Sequence, residues 1–223
     1  MLHFANVLGP AWPVVLVTLR ANWIEPPSPA FRRLMAEQRI RIFFLPDDTT
    51  FPDHPSVSKF FTRPWLWERF ASADRVLLFQ ADSVLCSRSE RRVSDFLEWD
   101  LVGAPISSAY GVGYNGGLSL RNPKALLDIT RDPANAKIPS WEKFEDQWFY
   151  MKLKTRGEGG EPGTEARLPS VEVASQFAVE TVWAEEPLGY HQPFRWLTPA
   201  QKTKVMEWCP EVAMLQDASH FFS

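Results

Sequence analysis

The chain has 223 residues, of which 45% are apolar and 23% charged, enough for one α/β domain with a sizeable core and thin for two. The net charge is -3 with both signs interspersed, and no Lys/Arg block tracks a phosphate backbone, which argues against nucleic acid as a partner. Cys86 and Cys209 are too few for a disulfide framework and fit no zinc spacing, so both are read as small apolar packers.

The opening MLHFANVLGPAWPVVLVTLR is apolar but broken by Asn6, Gly9, Pro10 and Pro13. It shows no basic leader, no small-residue cleavage site and no run long enough for a bilayer, so no membrane segment is expected in this chain. The cytoplasm is then the default compartment, with the secretory pathway open to a longer form that carries an anchor. Val14 to Leu19 is a β-branched run and predicts a strand. Pro29 to Gln38 predicts a helix with proline near its first turn, and Ile40 to Leu45 the next strand. Thr62 to Ala71 predicts a helix ahead of the strand RVLLFQ, Arg75 to Gln80. RVSDFLE is read as helical, WDLVGAP and GGLSLRN as strands, and PKALLDIT as a helix opened by proline.

KFEDQWFYMKLKTR continues helical, with basic residues at its C-terminal end where the helix dipole favours them. The segment 157–165, GEGGEPGTE, predicts a flexible surface loop. LPSVEVASQFAVET predicts a helix capped by Ser170 that leads into an extended piece, and TPAQKTKVMEW a last helix. Ten tryptophans and sixteen phenylalanines invite a stacking role, but those in RPWLWERF and QWFY recur at helical spacing and are read mostly as core. Alternation of strand and helix predicts a mostly parallel sheet with helices on both faces, whose ligands bind beyond the carboxyl ends of the strands. A hydrolase-like or Rossmann enzyme is a further alternative, and no Gly-x-Ser-x-Gly elbow supports it.

That rule draws attention to QADS, residues 80–83, at the end of an apolar strand. A carboxylate and a hydroxyl there offer hard oxygen ligands to Mg²⁺ or Mn²⁺ bridging a diphosphate; strand-ending Asp and Ser also commonly cap the next turn. In GYNGGLSL, Gly116 and Gly117 permit close backbone approach and Asn115 offers both a donor and an acceptor, although Asn-Gly is equally a turn signal. Glu145 and Asp146 either serve as a base near a hydroxyl or simply answer the dipole at a helix start. His191 is either a surface loop residue or a nitrogen ligand suited to Mn²⁺.

VLLFQADSVL resembles the corner of GT-A glycosyltransferases such as the glycogenin-like enzymes, where an apolar strand ends in Asp-x-Asp followed by Ser or Thr. Asp82 takes the place of the second Asp and Gln80 replaces the first. The whole chain is more similar to a family of uncharacterised glycosyltransferase-like proteins common in fungi. The likeness rests on the Gln-x-Asp-Ser form, Gly113 to Asn122, Glu145 to Trp148, Leu168 to Glu180 and Gly189 to Pro193. It implies one GT-A-like domain over residues 1–223 and transfer of a sugar from a nucleotide-sugar, most simply a UDP-sugar, to an unknown acceptor.

In that reading Asp82 and His191 hold Mn²⁺ or Mg²⁺ at the diphosphate, and Gln80, Ser83, Asn115, Gly116 and Gly117 face the donor. Glu145 or Asp146 acts near the acceptor. Glu145-Asp146 resembles the form of an inverting base, and Asp146-Gln147 the pair that positions the sugar in retaining enzymes; both stand open. Two departures matter. Gln80 removes one negative charge from the metal corner. The chain also reads as starting late: MLHFANVLG resembles the end of a first helix and VVLVTL a second strand, so the first strand is missing from the sequence. The alternative is a non-catalytic nucleotide- or carbohydrate-binding relative that keeps the fold.

Overall fold

The computed structural model describes residues 1–135, 144–156 and 165–221. The chain divides into two compact units, Met1–Pro52 and Asp53–Ser223.

In the first unit, helix α1 (Leu2–Leu8) is followed by strand β1 (Val14–Thr18), helix α2 (Pro29–Ala36) and strand β2 (Ile40–Phe44). β1 and β2 pair in parallel with Val14 opposite Ile40 and Thr18 opposite Phe44, the product of a strand-helix-strand crossover. Helix α2 starts where expected because the Ser28 hydroxyl accepts the Phe31 N–H at 3.3 Å and Pro29 needs no donor partner at the first position. Phe4, Ala5, Val14, Phe31, Ile40 and Leu45 are the buried apolar residues of this unit.

The second unit opens with helices α3 (His54–Phe61) and α4 (Pro64–Phe70), strand β3 (Val76–Phe79) and strand β4 (Ser83–Leu85). Strands β5 (Leu101–Pro105) and β6 (Tyr114–Arg121) follow, then helices α5 (Pro123–Arg131), α6 (Glu145–Arg156) and α7 (Val171–Phe177). Strands β7 (Ala178–Val179) and β8 (Gly189–His191) lead to helices α8 (Pro193–Trp196) and α9 (Pro199–Trp208), and a 3₁₀ segment spans Pro210–Phe221. Two three-stranded sheets result, in the orders β3-β6-β5 and β4-β8-β7. In the first, both ladders are antiparallel; in the second, β4-β8 is antiparallel and β7-β8 parallel.

The chain is therefore mixed α/β, and the expected mostly parallel sheet is corrected in this unit. Connection length explains the change. Only eight residues, 106–113, join β5 to β6, and a parallel crossover needs about a dozen or more. Three residues, 80–82, separate β3 from β4, which then pairs in the other sheet. That short jump turns the residues after β3 into a corner between two sheets.

Of the aromatic residues read mostly as core, Trp67, Trp148 and Phe149 are fully buried, with the Trp67 and Phe149 rings edge to face at 5.7 Å, while Trp65, Phe70 and Tyr150 are partly exposed. A second apolar cluster gathers Val84, Val179, Tyr190, Val205 and Val212 around Cys86 and Cys209. The two cysteines are buried as expected, but they form a disulfide with their Cα atoms 4.9 Å apart. Residues 123 apart carry no local spacing signal; only the folding of the second sheet against α9 brings them together. Such a link stabilises a domain by roughly 2–4 kcal/mol, chiefly by restricting the unfolded chain.

Ser170 and Thr198 cap α7 and α9, accepting from the N–H groups of Val173 and Gln201. The expected loop 157–165 lies outside the described residues apart from Glu165. Among the described residues no helix is long and apolar enough to cross a membrane.

Candidate functional site

Register builds the corner. Antiparallel pairing sets Ser83 of β4 opposite His191 of β8, so the residue before Ser83 and the end of β8 lie side by side. The Gln192 N–H donates to the Asp82 carbonyl at 3.0 Å, closing the ladder, and the Gln192 amide donates to Asp82 Oδ2 at 2.8 Å. The left-handed backbone at Gln192 (φ 47°) directs the chain straight into α8. Ser83 is buried, and its hydroxyl donates to the Gly117 carbonyl at 2.7 Å. The Gln80 N–H donates to the same carbonyl at 2.8 Å, so QADS is tied to β6 from both ends.

His191 is the centre of this corner, with 3% of its surface exposed. Its Nε2 stands 3.2 Å from Gln80 Oε1 and 3.3 Å from Asp82 Oδ1, and its Nδ1 3.1 Å from Glu180 Oε1. Burial alone would lower the imidazole pKa, but hydrogen bonds and charge from Asp82 and Glu180 outweigh it and raise the value to about 9. Burial would push the Asp82 carboxyl up; the His191 and Gln192 contacts prevail and hold it below the usual carboxylate range. Gln80 is exposed and Asp82 half-buried, so the corner opens outward on the Gln80 side.

A second group sits at the start of α6. Asp146 accepts the Gly116 N–H at 2.8 Å through Oδ2 and the Gln147 N–H at 2.7 Å through Oδ1. Glu145 pairs with Arg121 Nη2 at 3.2 Å. Arg121 is fully buried, spans the Phe61 and Trp67 rings at 5.7 and 5.8 Å, and leaves Nη1 without a hydrogen-bond partner among the described residues. Burial, then the neighbouring Glu145 carboxylate, raises the Asp146 pKa, and contacts from Gly116, Arg121 and Gln147 offset this only in part.

Gly116 and Gly117 join the two groups. A Cβ at Gly116 would meet Arg121, Glu145 and Asp146; one at Gly117 would fall on the His191 ring. The close approach expected of these glycines is thus made by the chain's own side chains. Asn115 Oδ1 accepts the Gly117 N–H at 2.7 Å and fixes that backbone. The structure brings Gln80, Asp82, Ser83, Gly117 and His191 together, and places Asn115, Gly116, Glu145 and Asp146 in the adjoining group.

The family described as "Protein of unknown function (DUF5672)" matches residues 39–191, well over half of the chain. The chain belongs to this family. No curated protein shows significant similarity to it. The span shared with the family contains every expected site residue and ends on His191, while Gln192 falls just outside it.

Within the family span, sequence reasoning misses Glu180 and Arg121 as site residues. Glu180 ends the segment LPSVEVASQFAVE; it is 5% exposed and holds His191 from behind. A buried acid eleven residues before a histidine signals nothing until β7 and β8 pair in parallel. Arg121 ends β6, where a charged residue in a buried strand was the available signal. The segment GVGYNG, residues 111–116, also fits Gly-x-Gly-x-x-Gly, but it enters strand β6 instead of opening a helix, so it lacks the dinucleotide-binding context.

Among the described residues no three His, Cys, Asp or Glu side chains converge to hold a metal ion. The Asp82 corner offers two such groups and, as a third donor, the Gln80 amide oxygen.

Proposed function

We propose that this chain is a glycosyltransferase-like protein that binds a nucleotide-sugar, most simply a UDP-sugar, with a divalent ion at the diphosphate. The observation that carries the reading is the convergence of Gln80 Oε1 and Asp82 Oδ1 on His191 Nε2 at 3.2 and 3.3 Å. Adjacent ligands of an octahedral ion held at about 2.1 Å lie roughly 3 Å apart, so each of the two oxygens stands at about the separation expected of a ligand next to the imidazole nitrogen. The set of carboxylate, amide oxygen and imidazole favours Mn²⁺ over Mg²⁺.

Glu180 on Nδ1 supports the same reading, because a carboxylate behind a ligating histidine fixes its tautomer and orientation. A bound ion would neutralise charge on a departing diphosphate without proton transfer. Gln192 keeps Asp82 in place through its second oxygen, and Ser83 anchors the corner to β6. Asp146, with its raised pKa, holds or accepts a proton near an acceptor hydroxyl, and Arg121 balances the adjoining Glu145.

A second reading, a non-catalytic relative that keeps the fold, draws on two features. Without an ion, a proton on His191 already satisfies both oxygens, and the glycine positions are filled from within.

A thermal titration with UDP, GDP or neither, with and without Mn²⁺, separates the two. At 100 times its Kd a ligand of the native state adds about 2.7 kcal/mol, a rise of roughly 5–10 °C in a domain of this size. The enzyme reading expects that rise with one nucleotide, dependent on Mn²⁺ and lost in Asp82→Asn and Gln80→Ala. A well-folded protein without any Mn²⁺-dependent shift sinks it and leaves the second reading.

A further inference from the structure

Strand β8 has a second wall. Successive residues of a strand point to opposite faces, so Tyr190 turns away from the corner that His191 completes. On that side lies a cavity of about 320 Å³, at the lower end of small-molecule sites. Its aromatic lining is Tyr190, Trp183 and Trp208. Trp208 donates its indole N–H to the Pro187 carbonyl at 3.0 Å, so its polar edge is engaged and its rings are left for contact.

Tyr190 is 1% exposed, yet its hydroxyl makes no hydrogen bond among the described residues. The hydroxyl is not one of the buried orphaned polar atoms; it opens onto the cavity, whose wall includes the Glu186 carboxylate. The charged lining is one-sided. Lys204 pairs with Glu185, whereas Glu186 and Glu207 make no ion pair among the described residues. Two uncompensated carboxylates, an unpartnered phenol and aromatic walls suit a ligand with positive charge and N–H donors spread over a carbon frame. A neutral polyol would leave the carboxylates unbalanced, and the lining has too few ligating groups in convergence for a bare metal ion.

We infer that the cavity lined by Trp183, Tyr190, Trp208, Glu186 and Glu207 binds an organic ammonium or guanidinium cation. Cation–π attraction to the rings and charge-assisted hydrogen bonds to the carboxylates hold it, and the Tyr190 hydroxyl accepts one N–H. Such a group is supplied either by a free polyamine or by a basic side chain of a polypeptide. The inference does not depend on the nucleotide-sugar reading, since the residues concerned are not those of the Asp82 corner.

Tryptophan fluorescence and calorimetry with 1,5-diaminopentane, Nα-acetyl-lysine methylamide and methyl glucoside at low ionic strength test it on the full chain. Saturable one-to-one binding of at least one cation is expected; the diamine alone points to a free polyamine and the lysine derivative to a polypeptide. Affinity should fall about tenfold in Glu186→Gln and Glu207→Gln, and about threefold in Tyr190→Phe, while Asp82→Asn leaves it unchanged. Added salt should weaken it further. The inference is overturned by no saturable cation binding below about 10 mM, a concentration corresponding to weak millimolar contact. It is equally overturned by cation binding that ignores all three substitutions, or by binding of the glucoside in place of the cations.

Discussion

At Gly116, carboxylates face a permanent cation; at Gly117, they face one that can be removed. Arg121 cannot lose its proton within the range of protein chemistry, so the Arg121–Glu145 pair is fixed and ties α6 to β6. His191, set between Asp82 and Glu180, can give up its Nε2 proton to solvent or exchange it for a metal ion. Both groups are held by the same two glycines, whose lack of side chain admits the arginine on one residue and the imidazole on the next. The difference teaches where to look for exchangeable chemistry: a buried arginine pair fastens elements, and a histidine clamped by two acids and open beside Gln80 can change state.

The largest expected effect tests the fixed half. Arg121→Met removes the buried cation and leaves Glu145 and Asp146 unbalanced, at a cost of about 3–5 kcal/mol. Urea denaturation of this variant should show it, and adding Glu145→Gln should recover part of the loss. Equal loss with and without the second change would mean that packing on Phe61 and Trp67, not charge, is what Arg121 provides.

The removable half predicts a pH signature of a few kcal/mol. The folded pKa of His191 is raised to about 9 from an ordinary 6.5, so its contribution is complete below 6.5 and is lost as pH rises through about 9. The folded pKa of Asp82 is lowered, so its contribution is present above the ordinary 3.8 and fades as pH falls below that. Unfolding free energy measured from pH 6 to 10 should decline in the wild type and far less in His191→Gln. Parallel declines would place the responsible group elsewhere.

Gly117→Ala should cost about 1–3 kcal/mol by driving a methyl into the His191 ring. In a double-mutant cycle that loss should couple to His191→Ala, whereas Gly116→Ala should add independently. Coupling of both glycines to His191 would erase the distinction drawn between the two groups. The smallest effect is Ser83→Ala, about 1 kcal/mol by thermal unfolding, because Gly117 keeps its bond from the Gln80 N–H.

Much of the architecture was legible along the chain. Short apolar runs located β1, β2 and β3, and Ser170 announced α7 through its own hydroxyl. What periodicity does not carry is pairing. The sense of β5 against β6 depended on the shortness of 106–113, and the brief strands β4 and β8 hold too few residues to show a period. Those two strands nonetheless build the corner. Asp82 and His191 were legible as residues with suitable chemistry, but their meeting depends on the Ser83–His191 register. Glu180, Gln192 and the Cys86–Cys209 link were invisible for the same reason, since each acts through a partner distant in sequence.

The most direct measurement is calorimetric titration of Mn²⁺ into the full chain at pH 7.5, in two buffers of different ionisation heat so that proton release is counted. If the corner exchanges a proton for an ion, Mn²⁺ binds at one site, about one proton leaves His191 per ion, and Asp82→Asn weakens binding at least about tenfold. Absence of saturable binding, or binding without proton release and unchanged in Asp82→Asn, would contradict a metal site at Gln80, Asp82 and His191.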